Sequence, residues 1–311
     1  MRRAAAALAF AVLMAAPAGA VIILDSTWKE EGGTKDDPAP GFRAHNKLAH
    51  EKQFAAAVTF SSDGDTWGEC SGTWIGNDAT AGYFISAAHC FAPANAASMY
   101  VYRSEGGTTL IGVELFIHPG WTGSADDRTG CDLAIVKLSA PVTDAGPQPL
   151  IYGGTKEKGH LLTFVGFGGR GIGSTGENDD FDPDDWMDAD AIKAAGQGII
   201  DQVMVAADPV PGVNADAGNY LGIYLPKEDG SLPNPYGGAT RPATRLAGLL
   251  GTGDSGSGAW FQLADGRWVL AGVASDGTPK ARYGDSAWFP RLSSQRAWIA
   301  SIFPGAQYVT D

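Results

Sequence analysis

The chain has 311 residues, a formal net charge of −13 at pH 7, 44% hydrophobic residues and 43 glycines. This length and apolar content allow a sizeable core, in one large domain or two fused halves, and recurring aromatic and β-branched residues exclude a disordered protein. The acidic balance argues against nucleic acid and anionic membrane surfaces as partners, because both bind basic proteins.

The first twenty residues, MRRAAAALAFAVLMAAPAGA, combine a basic start, an apolar run and small residues at a cleavage position. The apolar run is too short to span a membrane, so the pattern predicts a secretory signal peptide at residues 1–20. It fits bacterial export, although a eukaryotic signal would look much the same. No later segment is apolar and long enough to cross a membrane. We therefore expect a mature protein that begins near Val21 and is secreted, to the extracellular space or the periplasm.

Residues 21–43 are mostly polar and punctuated by Gly and Pro, which predicts an N-terminal lead-in or a pro-segment. Short apolar runs separated by turn residues then predict strands at 54–60, 70–75, 82–86, 99–102, 110–117, 133–138, 161–165, 198–205, 268–273 and 286–289. Many short strands with Gly, Pro and Asp turns are typical of an all-β sandwich or barrel. The one predicted helix is residues 293–303, which begins with serine, has apolar residues at helical spacing and stops at Pro304.

Three motifs follow one another along the chain: SAAHC at residues 86–90, DLAIV at 132–136 and GDSG at 253–256. Together they resemble the trypsin/chymotrypsin family of serine proteases, over roughly residues 54–303. Their order differs from that of subtilisin and of the α/β-hydrolases. The resemblance implies an all-β fold of two six-stranded antiparallel β-barrels, with the active site between them and a C-terminal helix.

The same resemblance implies a protease domain at residues 44–311. The first barrel is expected at about 44–145 and the second at about 155–292.

A serine hydroxyl is a poor nucleophile at neutral pH and needs a neighbouring base, which histidine supplies because its pKa lies near neutrality. A buried carboxylate fixes the imidazole tautomer and stabilises the imidazolium. By resemblance, Ser255 is the nucleophile, His89 the base and then the acid, and Asp132 the orienting group. The backbone N–H groups of Gly253 and Ser255 match the family's oxyanion hole.

Cys70 and Cys90 match the family's disulfide beside the catalytic histidine. Such a bridge stabilises the fold by roughly 3 kcal/mol on the loop-entropy model. Cys131, the third cysteine, is then free or intermolecular, and we expect a buried, inert thiol.

The segment around Ser275 resembles the family strand that lines the substrate cleft. Ser275 is expected to touch Asp132, and the stretch from Ser275 to Gly277 to pair with the substrate backbone as an added strand. Leu249, followed by Leu250, stands where trypsin-like enzymes carry an aspartate that attracts Lys or Arg. Cleavage after Lys or Arg is therefore not expected, and a medium apolar P1 residue is favoured; the alternative is that Leu249 only packs in the core.

Activation leaves two alternatives open. Zymogens of the family are cut before an Ile-Val-Gly-Gly-type start, and the new amine pairs with the aspartate before the nucleophile, here Asp254. The expected distance upstream falls near Arg43 and Ala44, but Ala44-His45 is not the usual start. The apolar stretch 21–24 is the other segment able to dock.

An insertion at residues 170–197 carries seven aspartates between positions 179 and 190. Carboxylates can coordinate Ca²⁺, but no EF-hand pattern fits, and a solvated surface loop is the favoured interpretation. A second long loop, 208–245, is expected to restrict substrate entry. The sequence predicts no metal site and no cofactor.

Two functions of different classes fit these observations. The favoured one is a secreted serine endopeptidase that hydrolyses protein or peptide substrates through an acyl-enzyme. The alternative is a catalytically inactive homologue that acts as an extracellular binding protein, since a fold does not fix a function. The intact set of His89, Asp132 and Ser255 favours the enzyme, whereas the apolar pocket and the unusual N-terminus favour the alternative.

Overall fold

A computed structural model describes residues 21–91, 100–104, 106–123, 129–182, 188–204 and 218–311. The predicted signal peptide lies outside the described residues, as do residues 183–187 of the acidic insertion and the first part of the predicted loop 208–245.

Most of the described chain is built from short strands, numbered here in chain order: β1 (Ile22–Ile23), β2 (Ala57–Ser61), β3 (Cys70–Asn77), β4 (Gly82–Ser86), β5 (Val101–Ser104), β6 (Thr109–Ile117), β7 (Ala134–Leu138), β8 (Leu150–Tyr152), β9 (Leu161–Gly166), β10 (Gly171–Ile172), β11 (Gly176–Glu177), β12 (Ala194–Ile199), β13 (Gln202–Met204), β14 (Tyr220–Tyr224), β15 (Gly248–Leu249), β16 (Gly258–Gln262), β17 (Trp268–Val273), β18 (Asp276–Gly277), β19 (Ser286–Pro290) and β20 (Gln307–Val309). The α-helices of the described residues are α1 (Asp25–Glu30), α2 (Arg43–Ala49), α3 (Ala189–Ile192) and α4 (Arg296–Ile302). Single 3₁₀ turns lie at Ala39–Phe42, Lys52–Phe54, Ala88–Phe91, Asp179–Phe181 and Leu292–Gln295.

The first half of the chain forms a closed barrel with the strand order β2-β3-β4-β7-β6-β5. All its pairs are antiparallel, and the barrel closes between β2 and β5, where Val58 lies opposite Ser104. Phe60 and Phe84 are buried, with ring centroids 6.4 Å apart. Because closure removes both sheet edges, the segments that leave this barrel start from a fixed frame.

The second half is divided among three sheets. The largest has the order β12-β9-β16-β17-β8-β20, a second has β13-β14-β19-β18, and a third has β11-β10-β1-β15. In the third sheet β1 is parallel to β10 and antiparallel to β15. The second half thus depends on a strand from the start of the described chain.

The predicted fold class is confirmed: the chain is mostly β, with a closed six-stranded barrel, further sheets and a short C-terminal helix, as in the trypsin double-barrel fold. The domain limits at 44, 145 and 155 stay predictions. The single strand predicted at 198–205 is wrong, because β12 ends at Ile199 and β13 begins at Gln202. Between them the Ile200 N–H donates to the His160 carbonyl and the Asp201 N–H to the Gly222 carbonyl, so the chain changes sheets at this point.

The segment 21–24 is the most deeply buried part of the N-terminal region, with exposed fractions of 0–2% in the core of the second half. Polar contacts continue this docking: the Asp25 N–H donates to the Tyr283 hydroxyl at 2.9 Å, and the Thr27 hydroxyl donates to the Arg245 carbonyl at 2.5 Å. Among the described residues, no helix combines the length and the apolar character that a membrane span requires.

Candidate active site

The three predicted triad residues come from separate segments and meet at one point. His89 lies on the 3₁₀ turn after β4, Asp132 precedes β7, and Ser255 lies in the turn before β16. The His89 Nδ1 lies 2.6 Å from Asp132 Oδ2, and its Nε2 lies 2.7 Å from Ser255 Oγ. The carboxylate can accept only, which assigns the ring proton to Nδ1 and leaves Nε2 to accept from the serine hydroxyl.

Asp132 is fully buried, and its carboxylate is satisfied by hydrogen bonds. Oδ1 accepts from the backbone N–H of His89 at 2.9 Å. Oδ2 accepts from the imidazole and also from the Ser275 hydroxyl at 2.6 Å, the contact that the sequence predicted for Ser275. Two bonds to one residue fix both the position and the rotation of the imidazole.

Competing effects act on the pKa of His89. Burial lowers it, but the hydrogen bond to Asp132, the charge of Asp132 and the charge of Asp276 together raise it above the ordinary histidine value. The Asp276 carboxylate was not among the predicted site residues. It stabilises the imidazolium, the form that histidine takes after removing a proton from a nucleophile.

The disulfide between Cys70 and Cys90 is confirmed, with Cα atoms 6.4 Å apart. It joins the start of β3 to the residue after His89. The next residue of β3, Ser71, donates its N–H to the Ser255 carbonyl at 2.8 Å and its hydroxyl to the Gly253 carbonyl at 3.0 Å. The histidine segment and the serine turn are therefore tied to the same strand.

Cys131 is outside the disulfide. It is half-buried, not fully buried as predicted, because it lies in the irregular segment just before the barrel strand β7, where its Sγ donates to the Thr129 carbonyl at 3.8 Å.

The turn that carries Ser255 requires glycine at two points. Gly253 and Gly256 have φ values of +91° and +86°, in the left-handed region that side chains disfavour. Within the part of the chain that the structure describes, the N–H groups of Gly253 and Ser255 donate no hydrogen bond. Both donors are available to a ligand oxygen, as an oxyanion hole needs.

Asp254 points away from Ser255 into the core and is fully buried. Its carboxylate accepts from the N–H groups of Gly251 at 2.9 Å and Gly168 at 3.0 Å. Burial raises the pKa of Asp254 to about 7, against the opposing effect of these bonds and of one from the Val21 N–H. The Val21 nitrogen is thus the group from the N-terminal segment that lies against this carboxylate.

Val21 has a φ of +85°, an unfavourable value for a β-branched residue. Arg43, the other residue considered for processing, begins α2 instead. His45, on the same helix, is fully buried with its Nδ1 2.7 Å from the Ala195 carbonyl, and burial lowers its pKa to about 4. Two segments were considered as the neighbour of Asp254. In the structure that neighbour is the segment 21–24, not the segment that begins near Arg43.

The predicted specificity residues occupy different environments. Leu249 is 1% exposed and lies in the second-half core, on β15 opposite Ile22, whereas Leu250 is half-buried. Gly277 lies on β18, which pairs only with β19 among the described residues. The other edge of β18 pairs with no described strand, and the Gly277 N–H donates to Asp276 Oδ1 at 2.7 Å.

The described part of the acidic insertion is held by aromatic and backbone contacts. Phe181 is buried against Trp28, with ring centroids 5.4 Å apart, and Asp182 accepts from the Arg170 N–H at 3.0 Å. Among the described residues, no group of three or more His, Cys, Asp or Glu side chains is arranged to hold a metal ion.

The sequence model of the Trypsin family matches residues 43–219. The chain belongs to the trypsin family. The match includes His89 and Asp132 and ends before Ser255, whose hydroxyl donates to His89 Nε2 and so joins the site. Membership supports a hydrolase of the serine-protease kind, and trypsin-like proteases act on protein or peptide substrates. A search of curated proteins finds none that matches this chain.

Sequence reasoning missed the neighbours that hold the site. Glu177, which contacts Thr252, 75 residues along the chain, was not among the predicted residues, and docking of the segment 21–24 was predicted only as one of two alternatives. The apolar run at 21–24 was a usable signal for docking, but no local pattern marks Glu177.

Proposed function

We propose that the protein is a serine endopeptidase that cleaves peptide bonds through Ser255, His89 and Asp132. The observation that carries this proposal is the unbroken set of hydrogen bonds from Ser275 through Asp132 and His89 to Ser255. If these residues had only a structural role, there would be no reason for two N–H donors without an acceptor to lie beside the serine hydroxyl.

The chemistry follows from the hydrogen bonds. Ser255 Oγ forms a bond to the substrate carbonyl carbon while its proton passes to His89 Nε2. The carbonyl oxygen becomes an oxyanion that the N–H groups of Gly253 and Ser255 bind. The C–N bond then breaks, and His89 gives its proton to the leaving amine. Water attacks the acyl-enzyme with His89 again as base, which releases the acid and restores Ser255.

The substrate side is inferred from the cleft. An extended peptide adds to the free edge of β18 at Gly277, beside Ser275. A leucine, not an acid, stands at position 249, so no charge draws Lys or Arg there. Leu249 packs in the core opposite Ile22, so the inference of a medium apolar P1 residue rests on the resemblance at this position and on half-buried Leu250 beside it.

We propose further that the active protein is secreted and begins at Val21, after removal of the signal peptide. Three observations support this start: Val21 is buried, its nitrogen contacts the Asp254 carboxylate, and its φ is unfavourable only while a residue precedes it. A free α-ammonium at Val21 gives buried Asp254 a cation. Residues 21–43 then remain as a docked lead-in.

Intact-mass spectrometry of the purified protein before and after treatment with a fluorophosphonate tests both proposals. We expect a mass that starts at Val21 and one adduct, which Ser255→Ala abolishes. A Val21 form of the wild type that takes no adduct would overturn the peptidase proposal and support the binding protein. A labelled form that starts elsewhere would overturn only the proposed N-terminus.

A further inference from the structure

We propose that Glu177 is a positioning residue for the oxyanion hole, acting through Thr252 on the direction of the Gly253 N–H. This inference deepens the proposed peptidase function and rests on it. Glu177 does not touch the reacting atoms; it lies on the far side of the turn that carries them.

The contact between Glu177 and Thr252 is bidentate. The Thr252 N–H donates to Oε1 at 3.0 Å, and the Thr252 hydroxyl donates to Oε2 at 3.0 Å. Hydrogen bonds to an ionised carboxylate are about twice as strong as neutral ones. Both oxygens are thus used to hold one residue, and that residue directly precedes the oxyanion donor.

The peptide group between Thr252 and Gly253 is held by a hydrogen bond to its carbonyl oxygen. The Thr252 carbonyl accepts from the Gly169 N–H at 2.5 Å. In a trans peptide the C=O and the N–H point in opposite directions, so the Gly253 N–H points away from Gly169. Glu177 fixes the N–H and side chain of Thr252 while Gly169 fixes its carbonyl, and together they define the backbone rotation that aims the donor.

Glu177 is itself anchored. It ends β11, its N–H donates to the Lys280 carbonyl at 3.1 Å, and it lies opposite Gly171 in the hairpin with β10. A Cβ at Gly169 would lie too close to Oε1 in its present position, so the missing side chain leaves room for the carboxylate beside the turn. The β10–β11 hairpin therefore fixes the position of the Glu177 carboxylate beside the turn.

Besides its contact with Thr252, Glu177 acts on Asp254 through its charge. It contributes to raising the pKa of Asp254, because two carboxylates lie near each other. Glu177→Gln removes that charge but keeps both contacts available, since its oxygen can accept the Thr252 N–H and its NH₂ can donate to the Thr252 hydroxyl. Glu177→Ala removes charge and contacts together.

The test is the pre-steady-state acylation of the mature protein by p-nitrophenyl acetate, which reports on Ser255 whatever the P1 preference. We expect Glu177→Ala to lower the acylation rate constant on the order of 10- to 100-fold with little change in the concentration giving half-saturation, because it misplaces a transition-state donor. Glu177→Gln should keep most of the rate. Thr252→Val, which lacks only the hydroxyl, should fall between them.

Two further variants distinguish loss of the contact from loss of the charge. Glu114→Ala removes an equal charge from an exposed position on β6 and should react at the wild-type rate. The double variant Glu177→Ala/Thr252→Val should lose little beyond Glu177→Ala, since both changes break one contact. Wild-type rates in Glu177→Ala and Thr252→Val, or equal losses in the Ala and Gln variants, would overturn the positioning role. A wild type that is neither acylated nor labelled would instead overturn the proposed function.

Discussion

The two halves of the molecule hold their parts of the site in different ways. The closed barrel supplies His89 and Asp132 from segments next to paired strands, and the two hydrogen bonds that join these residues to each other lie within that half. The second half supplies Ser255 and the two N–H groups proposed as oxyanion donors, from a glycine-rich turn between open sheets. That turn is held by contacts from distant segments: Ser71, Gly169, Glu177 and, through Asp254, Val21.

This difference indicates which part of the site is sensitive to processing and to remote substitutions. The barrel pairing fixes the segments on which His89 and Asp132 lie, and two hydrogen bonds to the Asp132 carboxylate then join the two residues directly. The serine turn is not part of a closed barrel. Its geometry depends on several separate contacts, and each contact can be lost without the others. Catalytic competence is therefore expected to depend on the second half more than the triad residues alone suggest.

The largest expected effect comes from the N-terminus. Retaining Ala20 ahead of Val21 should lower the acylation rate constant by on the order of 100-fold or more, because it leaves a buried carboxylate without its cation. The measurement compares chains that begin at Ala20 and at Val21, with p-nitrophenyl acetate. One extra glycine after Asp311 is the control and should have no effect. Equal rates for the two N-termini would contradict the prediction.

The same pair of chains should differ in the pH dependence of stability. Burial raises the pKa of Asp254 to about 7 in the chain that continues upstream of Val21. The folded form then holds a proton that the unfolded form has lost, so the contribution of Asp254 to the free energy of unfolding should be greatest below its ordinary pKa of 3.8 and fall as the pH rises to about 7. Urea unfolding of the Val21 chain should not show this fall, since the ammonium keeps Asp254 ionised.

A smaller effect, on stability, is expected in the first half. Replacing Cys70 and Cys90 together by serine should lower the free energy of unfolding by about 3 kcal/mol, because the bridge closes a loop over a sequence separation of 20. Urea unfolding at constant pH measures it, and Cys131→Ser is the matched control. A loss no greater than that of the control would show that the barrel needs no covalent tie beside His89.

The smallest effect should come from Asp276→Asn. The charge of Asp276 helps to raise the pKa of His89, so its removal should lower that pKa and move the acid limb of the acylation profile to lower pH. Asp265→Asn, in an exposed turn between β16 and β17, should leave the limb unchanged. A limb that stays in place in Asp276→Asn, or moves to higher pH, would contradict this assignment.

Much of the fold was predictable because its signals are local. Short apolar runs between turn residues located most barrel strands, and three motifs identified residues that the fold brings within hydrogen-bond distance. The disulfide followed from the family resemblance.

What escaped prediction depends on distant contacts. Glu177 matters only because a two-strand hairpin places it against Thr252, and Asp276 only because β18 passes near His89. Strand β12 ends before the predicted limit because the backbone N–H groups after Ile199 bond to different segments, Ile200 to His160 and Asp201 to Gly222. These partners are distant in sequence, so the local pattern does not reveal them. The domain limits at 44, 145 and 155 stay predictions.

The unfavourable backbone of Val21 has a consequence for where the protein acts. With the proposed start, the single peptide bond cut on leaving the cell is also the bond whose cleavage completes the catalytic machinery. On this proposal export and activation are one covalent step, and the precursor is inactive where it is synthesised without a separate inhibitor. The same proposal implies that the location of the peptidase that removes residues 1–20 decides where proteolysis begins.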